Sequence, residues 1–391
     1  MDVGHSRAGR VVESHKIVLR AFRLAGAFGV VGAVWSLIVA VDGGSWWGPL
    51  HAFLAGSVLL AISGATQLFT ITWSASPAPR APYPTVQRWT TGAGLGLVLV
   101  GVTADVVVLV VLGAIALLGG VGLLGALLVG SVRRSLLRRF DLSARFYLLA
   151  LGCGAIGITL GAVMAAEAST NSALRLVHSH LNLVGLIGFT IVGTLPTILA
   201  TFAHHRVVSG NEARVAWWLS VAAAALIAGG LFVPSLVGAG TLVAAIATVL
   251  ILTGVVVRLR RRGLKGGLPY YQVTIGTAWL IAWGIVEGIG VLTTSVSAPF
   301  PPWTGVVALS GIGQVLFGSL AYLLPVLAGP HPRLGPNTER MTRHGWLPVV
   351  LANGSAIALL AGLGATAAIG YGIWILDFGR RALTLDRRKT A

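Results

Sequence analysis

Only one cysteine, Cys153, stands in this chain of 391 residues. That excludes an internal disulfide and any zinc or iron–sulfur site built on several cysteines. Acidic residues are scarce too: 11 Asp and Glu stand against 28 Lys and Arg, and charged residues make up only 10% of the chain. None of the 53 glycines sits in a convincing phosphate-binding motif after a strand, so they serve mostly close helix packing. What is abundant is apolar surface, with 55% hydrophobic residues and a mean hydropathy of +0.87. Such a chain belongs to the polytopic membrane class. The net charge of +17 does not point to nucleic acid. Its basic residues lie in short clusters between apolar runs, where cytoplasmic loops carry them, and no nucleic-acid partner is expected.

A transmembrane helix needs about 20 apolar residues. Runs of that length predict spans over 20–41, 49–74, 88–108, 111–132, 144–167, 176–202, 214–234, 236–257, 270–293 and 303–328. Asp105 marks the outer turn inside the long run from Trp89 to Val132. The last run, Trp346 to Phe378, divides into two short spans at Gly362-Leu363-Gly364, giving about twelve. Basic clusters follow every even span: Arg133, Arg134, Arg138 and Arg139; Arg206 and Arg214; Arg258, Arg260, Arg261, Arg262 and Lys265; Arg333, Arg340 and Arg343. Those ends are therefore cytoplasmic. The same rule places the tail 1–19, with Arg7, Arg10 and Lys16, and the basic tail 379–391, with Arg380, Arg381, Arg387, Arg388 and Lys389, inside. The first apolar run lacks a small-residue cleavage site and reads as an uncleaved span. The expected protein is all-α, with a single transmembrane domain over 20–378 in the inner or plasma membrane.

A repeat runs through this domain. His51-Ala52-Phe53-Leu54-Ala55-Gly56 with Gly64, and His180-Leu181-Asn182-Leu183-Val184-Gly185 with Gly193, both fit H-x2-L-x-G-x7-G without a gap. At about 100° per residue the two glycines lie on the face opposite the histidine, where a neighbouring helix approaches closely. A degenerate third copy has Gly305 at the histidine position and Gly318-Ser319-Leu320 matching Gly193-Thr194-Leu195. The copies lie near 49–74, 176–202 and 303–328, four spans apart.

Spans two, six and ten of twelve, with a histidine opening the second and an H-x-H pair, His178-Ser179-His180, opening the sixth, resemble the catalytic subunit of haem–copper oxidases. That family builds twelve helices in three pseudo-symmetric groups of four. The chain is also similar to oxidase-related membrane proteins of the NnrS type and to membrane modules of some bacterial multicopper oxidases. The resemblance covers about 35 residues around His51 and His178–Gly193, plus the span count. It implies a pseudo-threefold bundle and histidine ligands for haem b or copper near the outer surface. The departures are informative. In that family the H-x-H pair lies on the tenth helix, not the sixth. The seventh span, Val215 to Pro234, holds no histidine, so the adjacent pair that binds the oxidase copper is missing, and oxygen reduction at a haem–copper pair is not expected.

His51, His178 and His180 are thus the candidate cofactor and metal ligands, because ionisable groups inside spans are costly and usually functional. Residues two apart in a helix point about 200° from each other, so His178 and His180 serve different partners. His178 lies two turns above Gly185 on one face, and a glycine there leaves room for a flat macrocycle. Asp105, Met164, Glu167 and Glu287 share the outer half; Trp279, Trp283 and Glu287 fall on one face of the ninth span, the tryptophans as packing. His204 and His205 are about 36 Å from His180 at 1.5 Å per residue and cannot join it. His331 and His344 fall in a cytoplasmic loop, and His5 and His15 in the tail. The functional expectation is haem or copper binding for redox chemistry, sensing or metal handling, with a redox partner at the outer face and no assigned catalytic residue. A transporter with a histidine-lined path, and a metal-free scaffold of the same fold, remain open.

Overall fold

The computed structural model describes residues 7–135, 140–167, 171–205, 210–263, 266–294, 303–328 and 331–385. Of the residues used above, Arg138, Arg139, Arg206, Lys265, Arg387, Arg388, Lys389 and His5 lie outside them. Among the described residues there is no strand. The helices are α1 (Arg7–Asp42), α2 (Trp47–Trp73), α3 (Pro82–Thr103), α4 (Val107–Arg133), α5 (Asp141–Ala166), α6 (Ser172–Phe202), α7 (Asn211–Gly229), α8 (Ser235–Arg261), α9 (Leu268–Thr294), α10 (Trp303–Ala328), α11 (His331–Thr342), α12 (Leu347–Leu360) and α13 (Gly364–Leu383). Nine of the described helices, α1, α2 and α4 to α10, are long and apolar enough to cross a membrane. The protein is therefore an all-α polytopic membrane protein. The apolar side chains of Val30, Leu37, Ile38 and Val41 stay exposed on α1, as a lipid-facing surface requires.

Several boundaries follow from local chemistry. The turn expected at Asp105 is present: Asp105 takes a left-handed φ of +56°, and Val106 N–H donates to Gly101 O at 2.7 Å. The third helix therefore ends at Thr103 rather than 108. It also starts earlier, at Pro82, because proline's fixed φ suits a first helical turn. The break expected at Gly362 is also there. Gly362 has φ +80°, and Leu363 N–H reaches back to Ala358 O at 2.8 Å, closing α12 with a glycine cap. The amino-terminal tail is less separate than its polarity suggests, since α1 is already helical from Arg7 and carries His15. The helix α11 buries Asn337 and Met341, one turn apart, on a single side.

The chain forms two compact units. The first comprises 1–193 and 221–240, the second 194–220 and 241–391. Hydrophobicity does not hold helices together in lipid, so close packing at small residues and polar contacts must. In the first unit a Cβ on Gly64 would lie 2.8 Å from Ala21 Cβ, and one on Gly56 2.8 Å from Phe28 Cβ, both on α1. A Cβ on Gly193 would lie 2.5 Å from Phe146 Cβ, and one on Gly185 2.5 Å from Cys153 Cβ, both on α5. Each glycine strip thus seats the preceding long helix, as its position opposite the histidine requires. In the second unit Gly318 meets Gln272 of α9 in the same way, at 2.8 Å. That unit also carries buried polar links. Trp279 Nε1 donates to Asn353 Oδ1 at 2.6 Å, Asn353 Nδ2 to Gln314 Oε1 at 3.2 Å, and Ser310 Oγ to Ala352 O at 2.7 Å.

Three π-helical segments interrupt α2, α6 and α10, over Ala52–Val58, Leu181–Gly188 and Val306–Gly313. They begin one residue after His51, His180 and Gly305, the first positions of the sequence repeat. Such segments are rare and concentrate at functional sites.

Gly193→Val should lower the thermal unfolding midpoint in detergent, with a cost of about 1–3 kcal/mol typical of overpacking. Gly96→Ala, where a Cβ meets nothing within 4 Å, should leave it unchanged. Equal midpoints for both variants would contradict the close-packed strip.

Candidate metal centre

The site lies in the first unit, where the start of α2 meets α5 and the start of α6. Helix α2 opens with Trp47-Gly48-Pro49, proline again in a first turn. Four residues on, His51 points back along the helix. Its Nδ1 donates to Trp47 O at 2.8 Å. Its ring stacks on the Trp47 indole, with centroids 4.2 Å apart and planes 24° from parallel. One residue, Trp47, therefore fixes both the tautomer and the ring plane of His51.

Helix α6 is started by Asn171, whose side chain accepts from Ala173 N–H at 2.9 Å and Leu174 N–H at 3.3 Å. That satisfies two of the free amides of its first turn. Two turns later His178 projects onto α5. Its Nδ1 donates to Gly157 O at 2.8 Å. Its ring lies over Gly161, where a Cβ would come within 2.8 Å of His178 Cε1. Gly157 and Gly161, one turn apart, thus form the seat of this imidazole. Asn182 packs on Gly157, and its Nδ2 donates to His178 O at 2.8 Å, tying the first π turn of α6 to the seat.

The two seats bring His51 and His178 together. Their ring centroids are 6.3 Å apart and their planes 18° from parallel. Each Nδ1 is committed to a carbonyl, so each neutral imidazole presents Nε2 as its lone-pair nitrogen. At this spacing the two imidazoles are the residues that would hold a metal ion in this unit, if one is bound.

His180 is held on its own helix. It is only 2% exposed, and its Nδ1 donates to Leu176 O of its own helix at 2.9 Å, with Ser179 Oγ at 3.3 Å. The divergence expected for residues two apart separates the H-x-H pair into one ring facing α5 and His51 and one held on α6. Among the described residues no three His, Cys, Asp or Glu side chains converge as a metal-binding group. His51, His178 and His180 therefore do not form a three-histidine chelate. The space imagined beside Gly185 is filled by Cys153, since α5 packs directly on that glycine. Glu167 and Asp105 are exposed at helix ends, and Glu287 is buried in the second unit. His205 lies against Arg262 in the second unit.

Sequence reasoning missed Trp47 and the Gly157/Gly161 seat. The spacing of Trp47 and His51, four apart, carried the first signal. The small-x3-small spacing on α5 carried the second.

No protein-family model matches this chain, and comparison with curated proteins finds no match.

Proposed function

We propose that this chain is a metal-binding membrane protein whose His51–His178 pair holds one transition-metal centre, the iron of haem b or a copper ion. The observation that carries the reading is the pair itself: two near-parallel imidazoles 6.3 Å apart, each with Nδ1 pinned by a backbone carbonyl. Neutral, oriented imidazoles suit iron and copper. When bound, the metal would supply one-electron chemistry. The chain's own part is to fix the two ring planes, keep both imidazoles neutral and shield the centre with the Trp47 indole. The relation to the oxidase catalytic subunit, the use in redox chemistry, sensing or metal handling, and a redox partner at the outer end belong to the same proposal.

Purified protein from cells supplied with haem and copper tests it. A b-type haem spectrum, or about one copper per chain by elemental analysis, is expected. A colourless, metal-free protein that takes up neither would overturn the reading and leave the scaffold alternative.

The topology proposed with this site has both termini in the cytoplasm of a plasma membrane. It counts α3, α12 and α13 as three further spans beside the nine. In this topology the basic ends of α4 and α8 lie inside, as the excess of positive charge in cytoplasmic loops supports, and the histidines, at the opposite ends of their helices, face outward. A membrane-impermeant thiol reagent applied outside should label Ser297→Cys and not Arg261→Cys, in a background with Cys153 replaced by alanine. The reverse pattern would invert the orientation.

A further inference from the structure

The end of the first unit opposite the histidines holds a guanidinium with no counter-charge among the described residues. Arg88 of α3 is only 6% exposed, and among the described residues it makes neither an ion pair nor a hydrogen bond. Its electrostatic neighbour is a like charge, Arg20 of α1. The packing explains how they meet. A Cβ on Gly92 would lie 2.8 Å from Leu24 Cδ2, and α1 and α3 run in the same direction. One turn earlier on each helix stand Arg88 and Arg20. The nearby acid of α1, Glu13, is engaged by Lys16 at 2.8 Å. Around this corner the chain buries polar side chains: Ser63 Oγ donates to Gln87 Oε1 at 2.7 Å, and Gln87 Nε2 to Gly120 O at 3.3 Å. On α2, Gln67 Oε1 and Thr70 Oγ1 are buried with no partner among the described residues.

We propose that Arg88 and Arg20 form a binding site for a phosphate-bearing anion at the inner ends of α1, α2 and α3. A guanidinium on so enclosed a side chain, without a counter-charge among the described residues, is costly, and more so beside a second cation. An anion between them removes both costs, and the planar fork of Arg88 suits two phosphate oxygens at once. Phosphate groups of anionic lipids lie at the depth of inner helix ends, so the phosphate comes from a lipid headgroup or from free phosphate. The site is independent of the histidine centre.

The full-length protein in phosphatidylcholine nanodiscs distinguishes the sources. Its thermal unfolding midpoint is followed while phosphatidylglycerol is added to the nanodiscs or, separately, inorganic phosphate to the buffer. A saturable rise is expected, with apparent affinity lowered about tenfold in Arg88→Gln and by a smaller factor in Arg88→Lys, which keeps the charge but loses the fork. A response to phosphatidylglycerol alone identifies a lipid headgroup; an equal, Arg88-dependent response to inorganic phosphate identifies the free anion. Should Arg88→Gln fail to fold, Arg20→Gln takes its place, with a loss of about threefold expected at this more exposed position. Identical responses of wild type and variant, or no saturable response in wild type, would overturn the proposal.

Discussion

His51→Ala and His178→Ala should each abolish the metal-dependent absorption of the purified protein, while His180→Ala should retain it. The first two each remove one of the facing rings, leaving a single imidazole where the proposed centre uses two. His180 donates its Nδ1 proton within α6 and contributes packing at 2% exposure. Its loss should therefore show as lower thermal stability with metal content per chain unchanged. Elemental analysis and the reduced-minus-oxidised spectrum of each variant read the two effects separately. The reverse pattern, with His180 essential and His178 dispensable, would mean that the ring pairing of the first unit is not the ligand pair.

Gly161→Leu should lower metal affinity about 10- to 100-fold, the range seen when a group that orients a ligating histidine is lost. A side chain at 161 would press on His178, since its Cβ would already lie 2.8 Å from Cε1 and 3.1 Å from Nδ1. The ring would have to leave its seat and release Gly157 O. Gly152→Ala on the same helix meets nothing within 4 Å and should bind metal as the wild type does. Metal titration of both variants, with circular dichroism to establish equal helicity, provides the check. Unchanged affinity in a folded Gly161→Leu protein would show that the seat does not orient the ligand.

The seat also shows where local pattern stops being informative. Both histidines stood out, because ionisable groups at the openings of apolar runs are conspicuous. The glycines opposite His51 and His180 could be assigned to a packing face from angle alone, and α1 and α5 do rest on them. The choice between His178 and His180 could not be made that way. The repeat aligns His180 with His51, and alignment favours equivalent residues as partners. The structure instead pairs His51 with a residue two positions before its counterpart, because Gly157 and Gly161 open a place for that ring on α5. The room expected beside Gly185 failed for a related reason: a glycine shows that something approaches closely, and only packing reveals that it is Cys153.

The sequence by itself determined the helical class, the positions of most spans, the turns at Asp105 and Gly362, and the register in which each glycine strip faces its neighbour. These depend on hydropathy, helical angle and the conformations open to single residues, all of which act within a few turns of chain. Tertiary packing settled that Trp47 fixes His51, that α5 seats His178, that the two rings stand 6.3 Å apart, and that Arg88 is enclosed with no acidic partner among the described residues. Those outcomes depend on which helices lie side by side and at what height. In a membrane that choice is made by close packing and buried polar contacts between distant segments, because hydrophobicity draws every span equally into the lipid.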